Sequence, residues 1–287
     1  MPTPSGGSPI TPARRWRPDG FHTSIRLGAP RKSGALFIAP EPELTITSSH
    51  NESLKEIRKL AGRRWRDKLQ RFVAEGEDLL DAADAAGWEP IVRYVAEGAG
   101  LEGVAVAPHV LAEISQLGSG TRALAVYAQR WATAATGPHC LALWGVGDPG
   151  NVGTALRSAL AFGAPSVALG PGTVDPYGFK AVRASMGALF SVPVVRVRQV
   201  SELPGPRVAL VAGRGRPLEE VASQPGTLVV GAEREGLPAD VVAGCDEVAH
   251  IPIHGDSLNA GVAASIALYD AARRVRAAGS SAGPESS

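Results

Sequence analysis

Cysteine is nearly absent: Cys140 and Cys245 are the only two in 287 residues. Two distant cysteines exclude a disulfide framework and a zinc ribbon, and a reduced cytoplasm is the expected compartment. Neither has a His–Asp constellation near it in sequence, so both read as structural. His, Cys, Asp and Glu nowhere recur at metal-ligand spacing, and no metal is expected. No apolar run approaches the ~18 residues of a membrane span, and the first residues lack the apolar core of a secretory signal, so no membrane contact is expected. Net charge is almost absent too, with 29 Lys and Arg against 28 Asp and Glu. What remains, 44% hydrophobic and 20% charged residues, is the composition of an ordinary globular chain. It is not that of a coiled coil, a collagen or a wholly disordered segment.

The charge balance conceals an uneven distribution. Residues 1–44 hold six basic and three acidic side chains, residues 45–75 eight and four, residues 76–136 three and eight, and residues 137–287 twelve and thirteen. A positive front on a nearly neutral body suits a polyanionic partner approached from one side. A solvated Arg-rich helix beside a loose tail gives the same count. Arg58, Lys59, Arg63, Arg64, Arg66, Lys68 and Arg71 crowd around Trp65. On one continuous helix Lys59, Arg63 and Arg66 share a face and Arg64, Lys68 and Arg71 share the next, which predicts a basic strip.

Residues 1–44 carry Pro, Gly and Ser throughout without a period, the pattern of a disordered leader. From 45 to 132 strands and helices alternate. Leu54, Ile57 and Leu60 have helical spacing behind a cap at Ser49 or Asn51. A strand over 71–75 leaves through Gly76, a helix runs from Glu77 to Ala86 and is ended by Gly87, strands fall at 90–95, 104–106 and 124–127, and a helix covers 107–117. The alternation predicts a mostly parallel sheet. Residues 133–140 read as a linker. A second alternation fills 137–278, with strands near 141–146, 166–170, 193–197, 207–212, 227–232 and 248–253. Its helices fall near 152–162, 178–190, 239–244 and 258–277, the last with Leu258, Val262, Ile266 and Tyr269 along one face. Residues 279–287 read as a disordered tail. The expected fold class is α/β, in two domains.

Gly145-Val-Gly147-Asp-Pro-Gly150 matches G-x-G-x-x-G after a strand and before a helix, the spacing of a dinucleotide pyrophosphate loop. Pro149 removes an amide from that loop, and no acidic residue ends the next strand, which weakens a dinucleotide site. The overlapping stretch reads as N-x-G-x-x-x-R, with Asn151 as a helix cap, Gly153 as a point of close packing and Arg157 as an anion clamp. Gly231, Glu233, Gly236 and Leu237 form a second motif, G-x-E-x-x-G-L, at the end of a strand. Ile251, Pro252, Ile253, Ser257, Leu258 and Asn259 form a third, I-P-I…S-L-N. His250 and His254 beside it read as incidental or as a general base, and the basic turn Gly213-Arg214-Gly215-Arg216 as an RNA contact or a plain loop.

In this order the three loops resemble the three motifs of the SpoU/TrmH family of RNA ribose 2′-O-methyltransferases, over about residues 137–277. Arg183-Ala-Ser185-Met-Gly187-Ala-Leu-Phe190 is similar to intervening family sequence. Asn51…Leu54-Lys55…Phe72-Val73-Ala74-Glu75-Gly76 resembles the ribosomal-protein-like substrate-binding domain that often precedes it. The chain departs from the pattern at Ala232, where Asn is usual, in a slightly short loop between Pro252 and Ser257, and at Ala260-Gly261.

The resemblance implies a trefoil-knotted SPOUT methyltransferase domain behind a small α/β substrate-binding domain. It implies S-adenosylmethionine as methyl donor, RNA as substrate (ribosomal rather than transfer RNA), a homodimer and a cytoplasmic setting. It assigns Arg157, Asn151, Glu233, Ser257 and Asn259 to the catalytic centre, and Gly231, Ile251, Pro252, Ile253 and Leu258 to the donor. Lys59, Arg63, Arg64, Arg66, Lys68 and Arg183 are the expected RNA contacts. A guanidinium is a poor base, so Arg157 is read as a clamp on the target phosphate. An RNA-binding protein with a decayed catalytic domain and a dinucleotide-dependent enzyme are the alternatives.

Overall fold

The computed structural model describes residues 45–118, 120–221 and 224–281; the expected leader over 1–44 lies outside the described residues, as do 282–287 of the expected tail. The front lobe opens with α1 (Glu52–Leu60), whose cap is Asn51 and not Ser49: the Asn51 side chain accepts from the Ser53 N–H at 2.9 Å. The helix stops at Ala61-Gly62 and a separate α2 (Arg63–Leu69) follows. Next come β1 (Arg71–Glu75), α3 (Glu77–Ala85), β2 (Val92–Ala96), β3 (Val104–Val106), α4 (Pro108–Ile114) and β4 (Ala123–Ala128). These strands form one sheet in the order β1-β4-β2-β3. The expected mostly parallel arrangement is not what forms. β4 enters between β1 and β2 and runs antiparallel to both, and only β2 and β3 are parallel.

The period-two alternation of the strands divides the front lobe's apolar residues between two cores. Val73, Leu124 and Val126 face α1 and α4, against Leu54, Ile57, Leu60 and Leu111. Phe72, Ala74, Ala125 and Tyr127 face the other way, into a core shared with the second lobe.

The second lobe comprises β5 (Cys140–Trp144), α5 (Pro149–Phe162), β6 (Val167–Leu169), α6 (Phe179–Ala184), α7 (Ala188–Ser191), β7 (Val194–Arg196), β8 (Arg207–Leu210), β9 (Arg216–Pro217), β10 (Thr227–Gly231), α8 (Ala239–Ala243), β11 (Glu247–His250) and α9 (Ala260–Ser281). Its seven strands lie in the order β7-β6-β5-β10-β8-β11-β9, and every pairing is parallel. Leu141, Leu143, Leu228 and Val230 point to α5 and α9, while Cys140, Ala142, Trp144 and Val229 point to the face carrying α8. A sheet covered on both sides explains the continuous apolar runs of β5 and β10. The single helix expected over 178–190 is interrupted, because Met186 and Gly187 adopt left-handed backbone at φ 48° and 89°. The last helix runs on through 279–281, residues expected to be tail.

The lobes are not beads on a linker. Phe72 and Tyr127 of the front sheet and Trp88, after α3, pack on Tyr177 and Phe190, with ring centroids 4.8 Å apart for Phe72–Tyr177 and 5.2 Å for Trp88–Phe190. Trp88 Nε1 donates to the Phe190 carbonyl at 2.7 Å. Arg66 of α2 is buried and donates through Nε to the equally buried Asp175 at 2.8 Å, and through Nη1 to the carbonyls of Leu60 and Ala61.

Candidate active site

The carboxyl ends of parallel strands are where an α/β sheet gathers its loops. Here the ends of the three neighbouring strands β10, β8 and β11 enclose a cavity of about 350 Å³. Its apolar lining comes from Leu210, Val230, Leu237, Ile251 and Leu258. Its polar side chains are Glu233, Arg234, Glu235, Asp256 and Ser257.

Gly231 ends β10 where the chain must turn back on itself. Ala232 and Gly236 exchange backbone hydrogen bonds, Ala232 N–H to Gly236 O at 3.2 Å and Gly236 N–H to Ala232 O at 3.0 Å. A Cβ on Gly231 would stand 2.4 Å from the Gly236 carbonyl carbon, so only glycine allows the closure. Position 232 joins this turn through its backbone, a contact that does not depend on its side chain.

The first motif meets the second through one bond. Asn151 is not the helix cap: the Asp148 side chain caps α5 by accepting from the Asn151 N–H at 2.9 Å. Asn151 lies inside the first turn, buried, and its Nδ2 donates to Glu233 Oε1. The Asp148 carboxylate therefore holds the helix N-terminus that a dinucleotide pyrophosphate would need. Gly153 keeps α5 against α6, since a Cβ there would fall 2.4 Å from Ala184 Cβ.

The third motif supplies Ile251, Ile253, Ser257 and Leu258 to the cavity wall. Pro252 is exposed outside the lining. Leu258 belongs to the wall and not to the helix face expected of it, because α9 starts at Ala260. Asn259 caps α9, its Oδ1 accepting from the Val262 N–H at 3.2 Å, and Ala260 and Ala263 of that helix close the cavity. Arg157 is exposed on α5 outside the lining, and among the described residues no carboxylate pairs with it. His250 and His254 do not line the cavity. Leu210, Val211 and Ala212 do, and sequence reasoning missed them, because the position of β8 between β10 and β11 has no signature in chain order.

Both cysteines sit away from this chemistry. Burial pushes the Cys140 thiol up, and pushes Cys245 up to about 11. No group of three or more His, Cys, Asp or Glu among the described residues is arranged to hold a metal ion.

The expected basic strip does not form as drawn. The break at Ala61-Gly62 separates Lys59 from α2, and it turns Arg66 inward to Asp175, where no RNA can reach it. Lys59 and Lys68 lie over Trp65, 5.2 and 5.1 Å from the ring centroid. Arg64 is exposed without an ion pair among the described residues. Arg183 spans the lobes, donating to the Glu75 carbonyl and to Asp78, and its hydrogen bond holds the Asp78 carboxyl below its ordinary value. It is a structural clasp rather than a free RNA contact.

The pattern described as the SpoU rRNA Methylase family matches residues 138–269. The chain is 30% identical over 243 residues to the 23S rRNA (guanosine(2553)-2′-O)-methyltransferase RlmP of Bacillus subtilis (strain 168), an alignment covering 78% of this chain and 97% of that protein. This chain belongs to the SpoU family. Among solved structures, the AdoMet-bound rRNA methyltransferase from Sinorhizobium meliloti superposes with a TM-score of 0.70 at 29% identity, over 80% of this chain and 98% of that one. The SpoU methyltransferase AviRb from Streptomyces viridochromogenes, in complex with the cofactor AdoMet, superposes at 0.72 and 26% identity, over 79% and 98%. These alignments extend past the SpoU match, so the front lobe is part of the likeness.

Proposed function

We propose that this chain transfers a methyl group from S-adenosylmethionine to a ribose 2′-hydroxyl of ribosomal RNA, in the cytoplasm and as a homodimer. One observation carries the reading: all three sequence motifs meet at one cavity edge, with Gly231, Glu233, Ile251 and Ser257 in the wall and Asn151 bonded to Glu233. The cavity fits such a donor. Its apolar side chains suit the faces of an adenine, and its strand ends present backbone donors and acceptors to a ring edge. Gly231, Ile251, Ile253 and Leu258 would hold it. In this reading residues 137–278 are the catalytic domain, threaded as the family's trefoil knot, and residues 45–132 capture RNA. Among the described residues no helix is long and apolar enough to cross a membrane.

The bound donor supplies an activated methyl group on a sulfonium. The protein's part is alignment, which can contribute ~7–11 kcal/mol when two reactants are held in line. Arg157 clamps the target phosphate and stabilises charge developing on the 2′-oxygen. The guanidinium stays protonated, so the hydroxyl proton passes to phosphate or water. Ser257 and Asn259 hydrogen-bond near the ribose, while the Asn151–Glu233 bond holds the two loops together.

Calorimetry tests the reading. S-adenosylmethionine is expected to bind about 1:1 per chain without added metal, and NAD to give no heat. Gly231→Ala is expected to weaken the donor at least ~10-fold, because the turn at Gly236 must open. No binding of S-adenosylmethionine by the folded protein would overturn the proposal.

The dimer has its own test. Val262, Ile266 and Tyr269 of α9 and Leu160 of α5 are exposed apolar side chains on packed neighbouring helices, and Tyr269 is 51% accessible. Ile266→Glu with Tyr269→Glu is expected to halve the mass seen by light scattering. A wild-type protein that is monomeric at micromolar concentration and fully active would contradict the dimer.

A further inference from the structure

A second cavity, of about 240 Å³, shares no lining residue with the first. It lies where the lobes meet, between Arg63 at the start of α2, Trp131, the 170–176 loop that follows β6, and Arg196 and Arg198 at the end of β7. Its charge is unbalanced. Asp67 is shared by two guanidinium groups, 3.6 Å from Arg63 and 3.0 Å from Arg196. Asp175 in the wall is committed to the buried Arg66. Glu202 accepts the backbone N–H groups of Arg198 and Gln199, and among the described residues the Arg198 guanidinium has no ion pair of its own. Arg196 lies over Trp131, 4.0 Å from the ring centroid, which holds its guanidinium at the cavity.

The cavity is hydrogen-bonded to the loop that leads from β5 into α5. The Gly145 N–H that opens the 145–150 stretch donates to the Pro171 carbonyl and to Thr173 Oγ1, both at 3.1 Å, and both acceptors belong to the cavity wall. Concave sites with excess guanidinium charge recruit oxyanions, and planar guanidinium groups match a phosphate through paired N–H donors. We propose that this cavity is a second RNA subsite, which grips a backbone phosphate of the substrate away from the acceptor ribose. The proposal rests on the RNA methyltransferase reading above. Arg63 reaches the phosphate from the front lobe, and Arg196 and Arg198 reach it from the second. RNA held here sits against the loop bonded to Gly145, and the grip adds affinity without touching the reacting groups.

The test uses the full chain with Arg63→Ala and Arg198→Ala combined. Both side chains are exposed, and Asp67 keeps Arg196, so melting temperature and donor affinity are expected to match wild type. The KM for ribosomal RNA is expected to rise about tenfold with kcat at saturating RNA unchanged, the signature of lost uniform binding. The salt slope of RNA binding is expected to flatten by about 0.7 for each phosphate that the protein no longer neutralises. Arg63→Lys with Arg198→Lys, which keeps charge without the fork, should retain the slope and part of the affinity. Arg273→Ala on α9 removes one positive charge elsewhere and should change neither. Unchanged KM and slope in the double alanine variant, in a preparation whose wild type methylates RNA, would overturn the subsite and leave the enzyme reading intact. An equal loss in Arg273→Ala would also overturn it, as an effect of overall charge. A wild type that neither binds nor methylates RNA would remove both readings.

Discussion

Arg157→Ala is expected to lower kcat by about 10³-fold, some 4 kcal/mol of transition-state stabilisation, while the Kd for S-adenosylmethionine moves less than about threefold. The residue lies outside the donor cavity, exposed, and has no carboxylate partner among the described residues, so its removal leaves no buried group unpaired. The loss should therefore appear in turnover and not in stability or donor binding. Arg157→Lys should recover only part of the rate, because a lysine supplies charge without the two-pronged geometry that holds a phosphate. Asn259→Ala should behave differently, weakening donor binding and rate together, since it loosens the start of the helix that closes the cavity. Near-normal turnover in Arg157→Ala would remove the clamp from the mechanism.

The largest stability effect is expected at the lobe junction. Arg66→Ala should cost about 3–5 kcal/mol, because it strands a buried carboxylate. The Arg66 and Asp175 side chains are 8% and 2% accessible, and Arg66 also satisfies two backbone carbonyls at the end of α1. Replacing both partners with apolar residues, Arg66→Met with Asp175→Leu, should recover only part of the loss, since no charge is then left in the interior but the Leu60 and Ala61 carbonyls and the Tyr177 N–H lose their partners. Urea unfolding measures both. A cost below ~1 kcal/mol for Arg66→Ala, the range of an exposed pair, would mean that the junction is solvated.

Arg66 also shows where sequence reasoning stops. Charges spaced along a helix predict a face only if the helix is continuous, and the break at Ala61-Gly62 resets the rotation between Lys59 and Arg66. Nothing in the spacing marks Asp175, over a hundred positions away, as the partner. The helix and strand positions are readable because the apolar period of α1 and the continuous apolar runs of β5 and β10 are set by the faces they bury. Strand order is not. β4 separates β1 from β2, and β8 separates β10 from β11, and chain order encodes neither. The front sheet therefore reads as parallel when it is not, and Leu210, Val211 and Ala212 go unnoticed as cavity wall. Asn151 is visible as a special residue, but Asp148, three positions earlier, caps the helix and frees the Asn151 amide for Glu233. The motif residues are legible because glycine closures and polar strand ends leave a local trace. Their convergence from α5 and from the ends of β10 and β11 leaves none.

The most direct measurement uses methyl-labelled S-adenosylmethionine and ribosomal RNA, followed by complete alkaline hydrolysis. Alkali cleaves RNA through attack of the free 2′-oxygen on its own phosphate, so a 2′-O-methylated ribose protects the adjoining bond. Ribose methylation predicts label in alkali-resistant dinucleotides from RNA treated with wild-type protein, and none from RNA treated with the Arg157→Ala variant. Label recovered only in mononucleotides, which marks methylation of a base, or no label in RNA at all, would contradict it.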